Sequence, residues 1–150
     1  MRLRDLLDET TVKTGLECVD KEECFEEMVD ILAQAGRISN RATALKAVHE
    51  REAQATTGIG RGVAVPHGKH ESIPELVAAL GTSSDGIEFD SLDGEPVHIV
   101  FLLLASVNEP GRHLRALAEI TRLVGTPGFC RKVVAANTRA DLLAALDSEE

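Results

Sequence analysis

The sequence is poor in aromatic residues, which restricts the kind of core it can build. Its 150 residues include four Phe and neither Trp nor Tyr, so aromatics make up 3% of the chain. Hydrophobic residues still account for 43%, which indicates a globular protein whose interior is filled by Leu, Val, Ile and Ala. A chain of this length suits one folding unit, and we predict that residues 1–150 form a single domain.

Cysteine is scarce and unpatterned. The three cysteines, Cys18, Cys24 and Cys130, are odd in number and lack a C-x-x-C spacing. This argues against a disulfide framework and against a cysteine-based zinc site. We therefore predict reduced thiols and neither a metal nor another cofactor.

Long hydrophobic runs are also absent. The longest, Ile99–Ala105, is far short of the ~20 residues needed to cross a bilayer. The N-terminal residues Met1–Asp5 lead into a mixed polar segment rather than into the apolar part of a signal peptide. We expect a soluble, cytoplasmic protein.

Basic residues are outnumbered by acidic ones. The chain has 16 Lys and Arg against 25 Asp and Glu, giving a net charge of −9. Such a balance repels nucleic acid and anionic lipid, because both carry negative charge. The composition predicts no nucleic-acid partner and favours a protein partner with a basic face.

Caps and apolar spacing predict helices in the first third of the chain. Asp20 and the glutamate three residues later form a capping box, and the helix that they begin ends at Gly36. Ser39 or Asn40 caps a second helix, which runs to about Glu52.

The second half of the chain predicts a buried strand followed by helices. Val97–Leu104 is almost continuously apolar, which is typical of a central strand covered on both faces. The next helix is predicted to end at Gly125, and a last one to be capped by Thr138. The predicted buried stripe of the first of these helices is Leu114, Leu117, Thr121 and Val124. Strands joined through helices form parallel pairs, so the sequence predicts an α/β fold with helices flanking a small sheet.

The stretch Gly58–His70, GIGRGVAVPHGKH, is the most informative part of the chain. Its apolar run Val63–Val65 reads as a strand that Pro66 stops, since proline has no amide to donate. His67 is thus predicted where a strand runs out, a place where a side chain is held rigidly yet accessible, and Gly68 adds nothing to obstruct the imidazole. The alternative is a surface turn that carries an incidental histidine.

The same stretch resembles the signature of a known family. The signature begins at Glu52, skips six residues to Ile59-Gly60 and skips two more to Val63–Gly68. This sequence has an allowed residue at every position that the signature specifies. This is the signature of the type-2 enzyme IIA domains of the bacterial phosphoenolpyruvate-dependent phosphotransferase system (PTS), in its fructose, mannitol and nitrogen-regulatory branch. The resemblance implies a three-layer α/β sandwich whose mixed, mostly parallel sheet has helices on both faces.

The resemblance also implies the site residues of a phosphotransferase component. His67 matches the phosphoryl acceptor, which becomes a tele-phosphohistidine. Arg51 and His113 match residues that stabilise the phosphoryl group. From the residues alone, Arg51 reads first as a cation favoured by the end of a helix, and His113 as an exposed residue of a first helical turn. Imidazole suits a relay because a neutral nitrogen is available near neutral pH without a separate base.

The implied partners are proteins. The donor is the histidine phosphocarrier HPr or its nitrogen-branch paralogue, and the acceptor is a sugar-specific IIB component or a regulatory target. The membrane is involved only indirectly, through a permease. No nucleotide-binding loop is present, which makes ATP an unsuitable donor. A chain ending at Glu150 without a fused IIB favours regulation over sugar transport, while the branch and the sugar stay open.

A different class of function remains as an alternative. His67, His70 and His113 could act together as ligands in a metal-binding or anion-binding regulatory module without chemistry. Against it, the first two lie on a glycine-proline stretch without a carboxylate or cysteine at a fixed spacing.

Overall fold

A six-stranded sheet lies between two layers of helices in the computed structural model, which describes residues Met1–Glu150. The strands are β1 (Val12–Lys13), β2 (Gly58–Gly60), β3 (Val63–Ala64), β4 (His67–His70), β5 (Val77–Ile87) and β6 (Val97–Ser106). The helices are a 3-10 turn (Leu3–Asp5), α1 (Lys21–Gln34), α2 (Arg41–Glu52), α3 (Pro110–Val124), α4 (Phe129–Ala135) and α5 (Arg139–Asp147). The predicted three-layer α/β fold is confirmed.

Strand β6 is the centre of the sheet. It pairs with β5 in antiparallel fashion on one side and with β3 and β4 in parallel fashion on the other. The path through the sheet is β1-β5-β6-β3-β2, and three of the five strand pairings are parallel. The predicted central strand is confirmed, since every residue of β6 except His98 is buried.

The sheet separates two aliphatic cores. Side chains alternate along β6, so that Ile99, Phe101 and Leu103 enter one core while the residues between them enter the other. Helices α1 and α2 cover the second core, and α3, α4, α5 and the 3-10 turn cover the first. Both layers are therefore anchored to a single strand. None of the helices combines the length and apolarity that a membrane span requires.

The predicted helix starts are confirmed by their caps. The side chains of Asp20, Asn40 and Thr138 each accept a hydrogen bond from the backbone N–H three residues later, which satisfies a donor that the helix leaves free. Helix α1 ends at Gln34, two residues before Gly36, whose φ of +72° suits glycine.

The buried face predicted for α3 is wrong for Leu114 and Thr121, which are exposed, while Leu117 and Val124 are half-buried and pack against the core. Ala116, Ile120 and Leu123 face the core, whereas Leu114 is 66% exposed. Both sets of residues satisfy the spacing of one helical face, and they differ by a rotation of the helix. The prediction followed the larger side chains. The small Ala116 is instead fully buried in the core.

Candidate functional site

His67 begins the edge strand β4. It pairs in parallel register with Leu103 of β6, and the pairing extends back across the proline because the Pro66 carbonyl accepts the Leu103 N–H at 3.1 Å. The prediction that the strand runs out at Pro66 is therefore wrong in one respect: the chain resumes pairing at His67 and continues to His70. The imidazole thus stands on a backbone that the sheet holds, at an edge where no further strand covers it.

Gly68 lets helix α2 approach this edge. A Cβ at this position would lie 2.9 Å from the carbonyl carbon of Ala47 and 3.0 Å from the nitrogen of Val48. Only glycine permits such an approach between a strand and a helix backbone. Its role is thus to seat α2, and with it Arg51, beside His67. The sequence assigned Gly68 only the role of leaving the imidazole unobstructed.

A cleft of about 420 Å³ lies where β4, α2 and α3 meet. Its lining consists of Ala47, Glu50, Arg51, Gln54, His67, Gly68, Lys69 and His113. The three site residues predicted from the resemblance, His67, Arg51 and His113, are thus brought together from three separate elements.

His70 does not reach this cleft. Alternate residues of a strand point to opposite faces, so Lys69 shares the side of His67 while His70 does not. The Nδ1 atom of His70 instead accepts the backbone N–H of Ser72 at 2.9 Å. The three-histidine ligand set of the alternative hypothesis is therefore not assembled, and no group of three or more His, Cys, Asp or Glu side chains is placed to hold a metal ion.

The His67 ring is held in one orientation by its own backbone. Its Nδ1 lies 2.8 Å from the carbonyl oxygen of Val65. A carbonyl can only accept, so Nδ1 carries the proton and donates it to this bond. The lone pair of a neutral His67 is therefore on Nε2.

His113 faces His67 from the first turn of α3. The two rings are arranged edge to face, with centroids 5.2 Å apart and an interplanar angle of 73°. The Nε2 atom of His113 is buried and has no hydrogen-bond partner. A buried polar nitrogen without a partner is costly, and a bound oxyanion would satisfy it.

Both imidazoles are kept neutral near neutral pH. Burial lowers the pKa of His67; the Val65 carbonyl and the negative charge of Glu52 oppose that shift, and the Arg51 guanidinium adds to it. Burial, followed by the proximity of His67 and Lys69, lowers the pKa of His113 to about 4. A neutral ring is the nucleophilic form of an imidazole, so the cleft favours the nucleophilic state of His67.

Two cations of the cleft lack acidic partners. Neither Arg51 nor Lys69 forms a salt bridge. One guanidinium nitrogen of Arg51 donates to the Ala55 carbonyl at 3.0 Å, which fixes the side chain at the end of α2. In a chain of net charge −9, two free cations beside a neutral imidazole suit an oxyanion.

Lys69 and Gln54 were missed by the sequence interpretation. A signal for Lys69 was present, since a residue two positions after His67 on a strand shares its face. Gln54 lies just beyond the end of α2, and nothing local marks it as a cleft residue.

Comparisons with known proteins agree on one family. The family model described as "Phosphoenolpyruvate-dependent sugar phosphotransferase system, EIIA 2" matches residues 5–149. A PTS system fructose-specific EIIABC component of Bacillus subtilis is 39% identical over 83% of this chain, which spans 20% of that protein's length. A PTS system fructose-specific EIIA component of Haloferax volcanii is 34% identical over 79% of this chain and 80% of its own length. A nitrogen regulatory protein of Bradyrhizobium diazoefficiens is 32% identical over 89% of this chain and 86% of its own length.

Solved structures give the same picture. The nitrogen regulatory protein IIA-Ntr of Neisseria meningitidis superposes with a TM-score of 0.89 at 26% identity and covers 96% of this chain and 98% of its own. The mannitol IIA enzyme of Escherichia coli, in its complex with phosphorylated IIB, superposes with a TM-score of 0.81 at 18% identity. The superposition covers 95% of this chain and 97% of the mannitol enzyme chain. The latter likeness shows the shared fold.

Proposed function

The chain belongs to the EIIA type 2 family of the phosphoenolpyruvate-dependent sugar phosphotransferase system, and on that premise we propose that His67 receives the phosphoryl group on Nε2, as a tele-phosphohistidine. The observation that carries this choice is the 2.8 Å bond from His67 Nδ1 to the Val65 carbonyl. It leaves Nε2 as the nucleophile of an otherwise neutral ring.

The transfer step follows from this tautomer. The Nε2 lone pair attacks the phosphorus of the donor's phosphohistidine, a P–N bond forms to His67, and the P–N bond of the donor breaks with its electron pair left on the donor's ring. The proton on Nδ1 stays in place. The His67 ring thereby becomes positively charged, and the Val65 carbonyl stabilises that charge because the Nδ1–H already points at it.

The other cleft residues act on the phosphoryl oxygens. His113 offers the unpartnered Nε2 as a hydrogen-bond donor when that nitrogen is protonated, and Arg51 and Lys69 offer charge. A protein accelerates such a transfer mainly by positioning the reactants and stabilising charge, because the phosphoryl group passes between nitrogens with little other covalent chemistry.

The proposed donor is an HPr-type phosphocarrier. The proposed acceptor is the IIB component of a sugar permease or a regulatory target protein, and the relatives include proteins named for either branch. We place the protein in the cytoplasm, where residues 1–150 act as one EIIA domain.

Phosphorylation of the full chain tests this proposal. Incubation with phosphoenolpyruvate, enzyme I and HPr should add one phosphoryl group, measured by intact mass, and acid should remove it. His67→Ala should stay unlabelled. The matched control is His70→Ala, three residues along the same strand and outside the cleft, which should be labelled like the wild type. Full labelling of His67→Ala would overturn the assignment.

A further inference from the structure

Glu52 is a nearly buried carboxylate that does not line the cleft. It ends α2, and only 6% of its side chain is exposed. Lys21 of α1 neutralises it at 3.0 Å, and the Lys21 ammonium is itself stacked over the Phe89 ring at 5.2 Å from the centroid. Burying a charged pair is costly, so its partners indicate what the carboxylate holds.

What Glu52 holds is Thr57. One carboxylate oxygen accepts the Thr57 backbone N–H at 2.8 Å, and the other accepts the Thr57 hydroxyl at 2.6 Å. Charge-assisted bonds of this kind are strong and directional, and two of them on one residue fix its position. Thr57 is 4% exposed, so water does not compete for these bonds.

Thr57 in turn holds the residue that orients His67. The Thr57 carbonyl accepts the Val65 N–H at 2.9 Å, and the Val65 carbonyl accepts the His67 Nδ1–H at 2.8 Å. Val65 lies between β3 and β4, outside both strands, and its own N–H bonds to Thr57 rather than to β6. Its neighbours Ala64 and Pro66 pair with β6, so Thr57 supplies the remaining backbone contact that sets the position of Val65.

We propose that Glu52 is a positioning residue for the phosphoryl transfer: through Thr57 and Val65 it fixes the carbonyl that keeps the proton of His67 on Nδ1. The inference rests on the proposed function of His67. A third group that holds an imidazole in the correct tautomer is a known requirement of histidine-based catalysis, and its loss slows the reaction without removing the catalytic groups.

The direct readout is the tautomer of His67 in the unphosphorylated protein, measured by nitrogen NMR of histidine-labelled chain. In the wild type the Nδ1–H form should dominate. Glu52→Gln and Thr57→Val should each raise the share of the Nε2–H form, because each weakens the hold of residue 52 on residue 57 and so leaves the Val65 carbonyl less firmly positioned. The rate of transfer at saturating phospho-HPr should fall by about 10 to 100-fold, with the KM for phospho-HPr unchanged, since neither residue lies in the cleft.

The matched control is Glu27→Gln. Glu27 is another lysine-paired carboxylate, 2.7 Å from Lys13, and it also clamps a backbone segment by accepting the N–H groups of Glu17 and Cys18. It has no link to His67. Its variant should lose stability and keep the wild-type tautomer and rate, which separates positioning from general destabilisation.

Thr57→Val keeps the size and backbone of the native residue. If Glu52→Gln fails to fold, the Thr57→Val protein alone therefore tests the positioning role. A wild-type tautomer ratio and rate in folded Thr57→Val, matching those of Glu27→Gln, would overturn the proposal. The NMR readout does not require phosphorylation, so this outcome is distinct from a failure of His67 to accept the group.

Discussion

The ring of His113 stands edge-on to the ring of His67, with 5.2 Å between their centroids. His113 comes from α3 and His67 from β4, elements separated by the whole of β5 and β6 in the chain. The proximity of His67 adds to the lowering of the His113 pKa, so the charge of one ring bears on the protonation of the other.

His113→Gln should slow phosphoryl transfer and leave the fold intact. In the proposed mechanism His113 donates to the phosphoryl oxygens, and loss of one such donor costs about 10² to 10³-fold in rate. The rate of labelling by phospho-HPr in a rapid-quench assay measures it. His70→Gln provides the control and should transfer at the wild-type rate; an unchanged rate in His113→Gln would remove His113 from the mechanism.

Arg51→Gln should raise the pKa of His67. The guanidinium lowers that pKa now, because a nearby positive charge disfavours a protonated ring. Titration of the His67 ring by NMR measures the change. Arg51→Lys keeps the charge and should leave the pKa near the wild-type value while slowing transfer, since lysine lacks the planar fork of donors. Arg131→Gln, which alters a cation of α4 outside the cleft, should change neither quantity.

The cleft histidines should make the protein less stable in acid. The pKa of His113 falls from the ordinary 6.5 to about 4 in the folded chain. Between these values the unfolded chain binds more protons than the folded one, so the free energy of unfolding decreases as the pH falls from 6.5 to 4. His67, whose pKa is also lowered, contributes with the same sign. Denaturant unfolding at both ends of this range should show a smaller difference for His113→Gln than for the wild type, whereas an equal difference would contradict the assignment.

Gly68→Ala should damage stability and activity together. The added Cβ would lie 2.9 Å from the backbone of Ala47, so α2 must move away from β4, at a cost of about 1 to 3 kcal/mol. Arg51 moves with the helix, and transfer should slow. At Gly111 in α3 an added Cβ meets nothing closer than an Arg115 nitrogen at 3.5 Å, so Gly111→Ala should be neutral or stabilising by up to about 1 kcal/mol. Thermal and denaturant unfolding compare the two; equal stabilities would contradict the packing role of Gly68.

A chase experiment should distinguish transport from regulation. The protein labelled on His67 is mixed with fructose-type and mannitol-type IIB domains, and the phosphoryl group is followed by gel or mass. Rapid loss to one of them indicates a transport relay. Retention with all of them indicates a regulator, in which the roughly −1.5 to −2 charges added at the cleft alter binding to a target protein. The His113→Gln protein, once labelled, serves to show whether retention depends on the cleft.

Local patterns in the sequence were enough to predict several helix starts and the central strand. Asp20 and Asn40 cap helices because a cap needs only neighbouring backbone, and the apolar run of β6 reads as buried whatever surrounds it. The resumption of pairing at His67 depends on β6, which is far along the chain, so no local signal shows it. Which face of α3 is buried depends likewise on its packing against distant parts of the chain.

The candidate site likewise has a part that could be predicted from the sequence and a part that could not. A short stretch of signature residues identified His67, and the resemblance supplied Arg51 and His113. The link from Glu52 to His67 could not be predicted, because it passes through hydrogen bonds of the Thr57 and Val65 backbones, whose partners depend on the path of the loop rather than on side-chain type.

The sandwich has a kinetic consequence for assembly. Arg51 belongs to the helical layer on one face of the sheet and His113 to the layer on the other, and they meet only at the edge where β4 lies. Either core could collapse onto β6 first, yet neither half alone contains a complete cleft. During synthesis or refolding, the complete cleft therefore forms only after both layers have docked, and we expect the proposed transfer to reach its full rate only from that point.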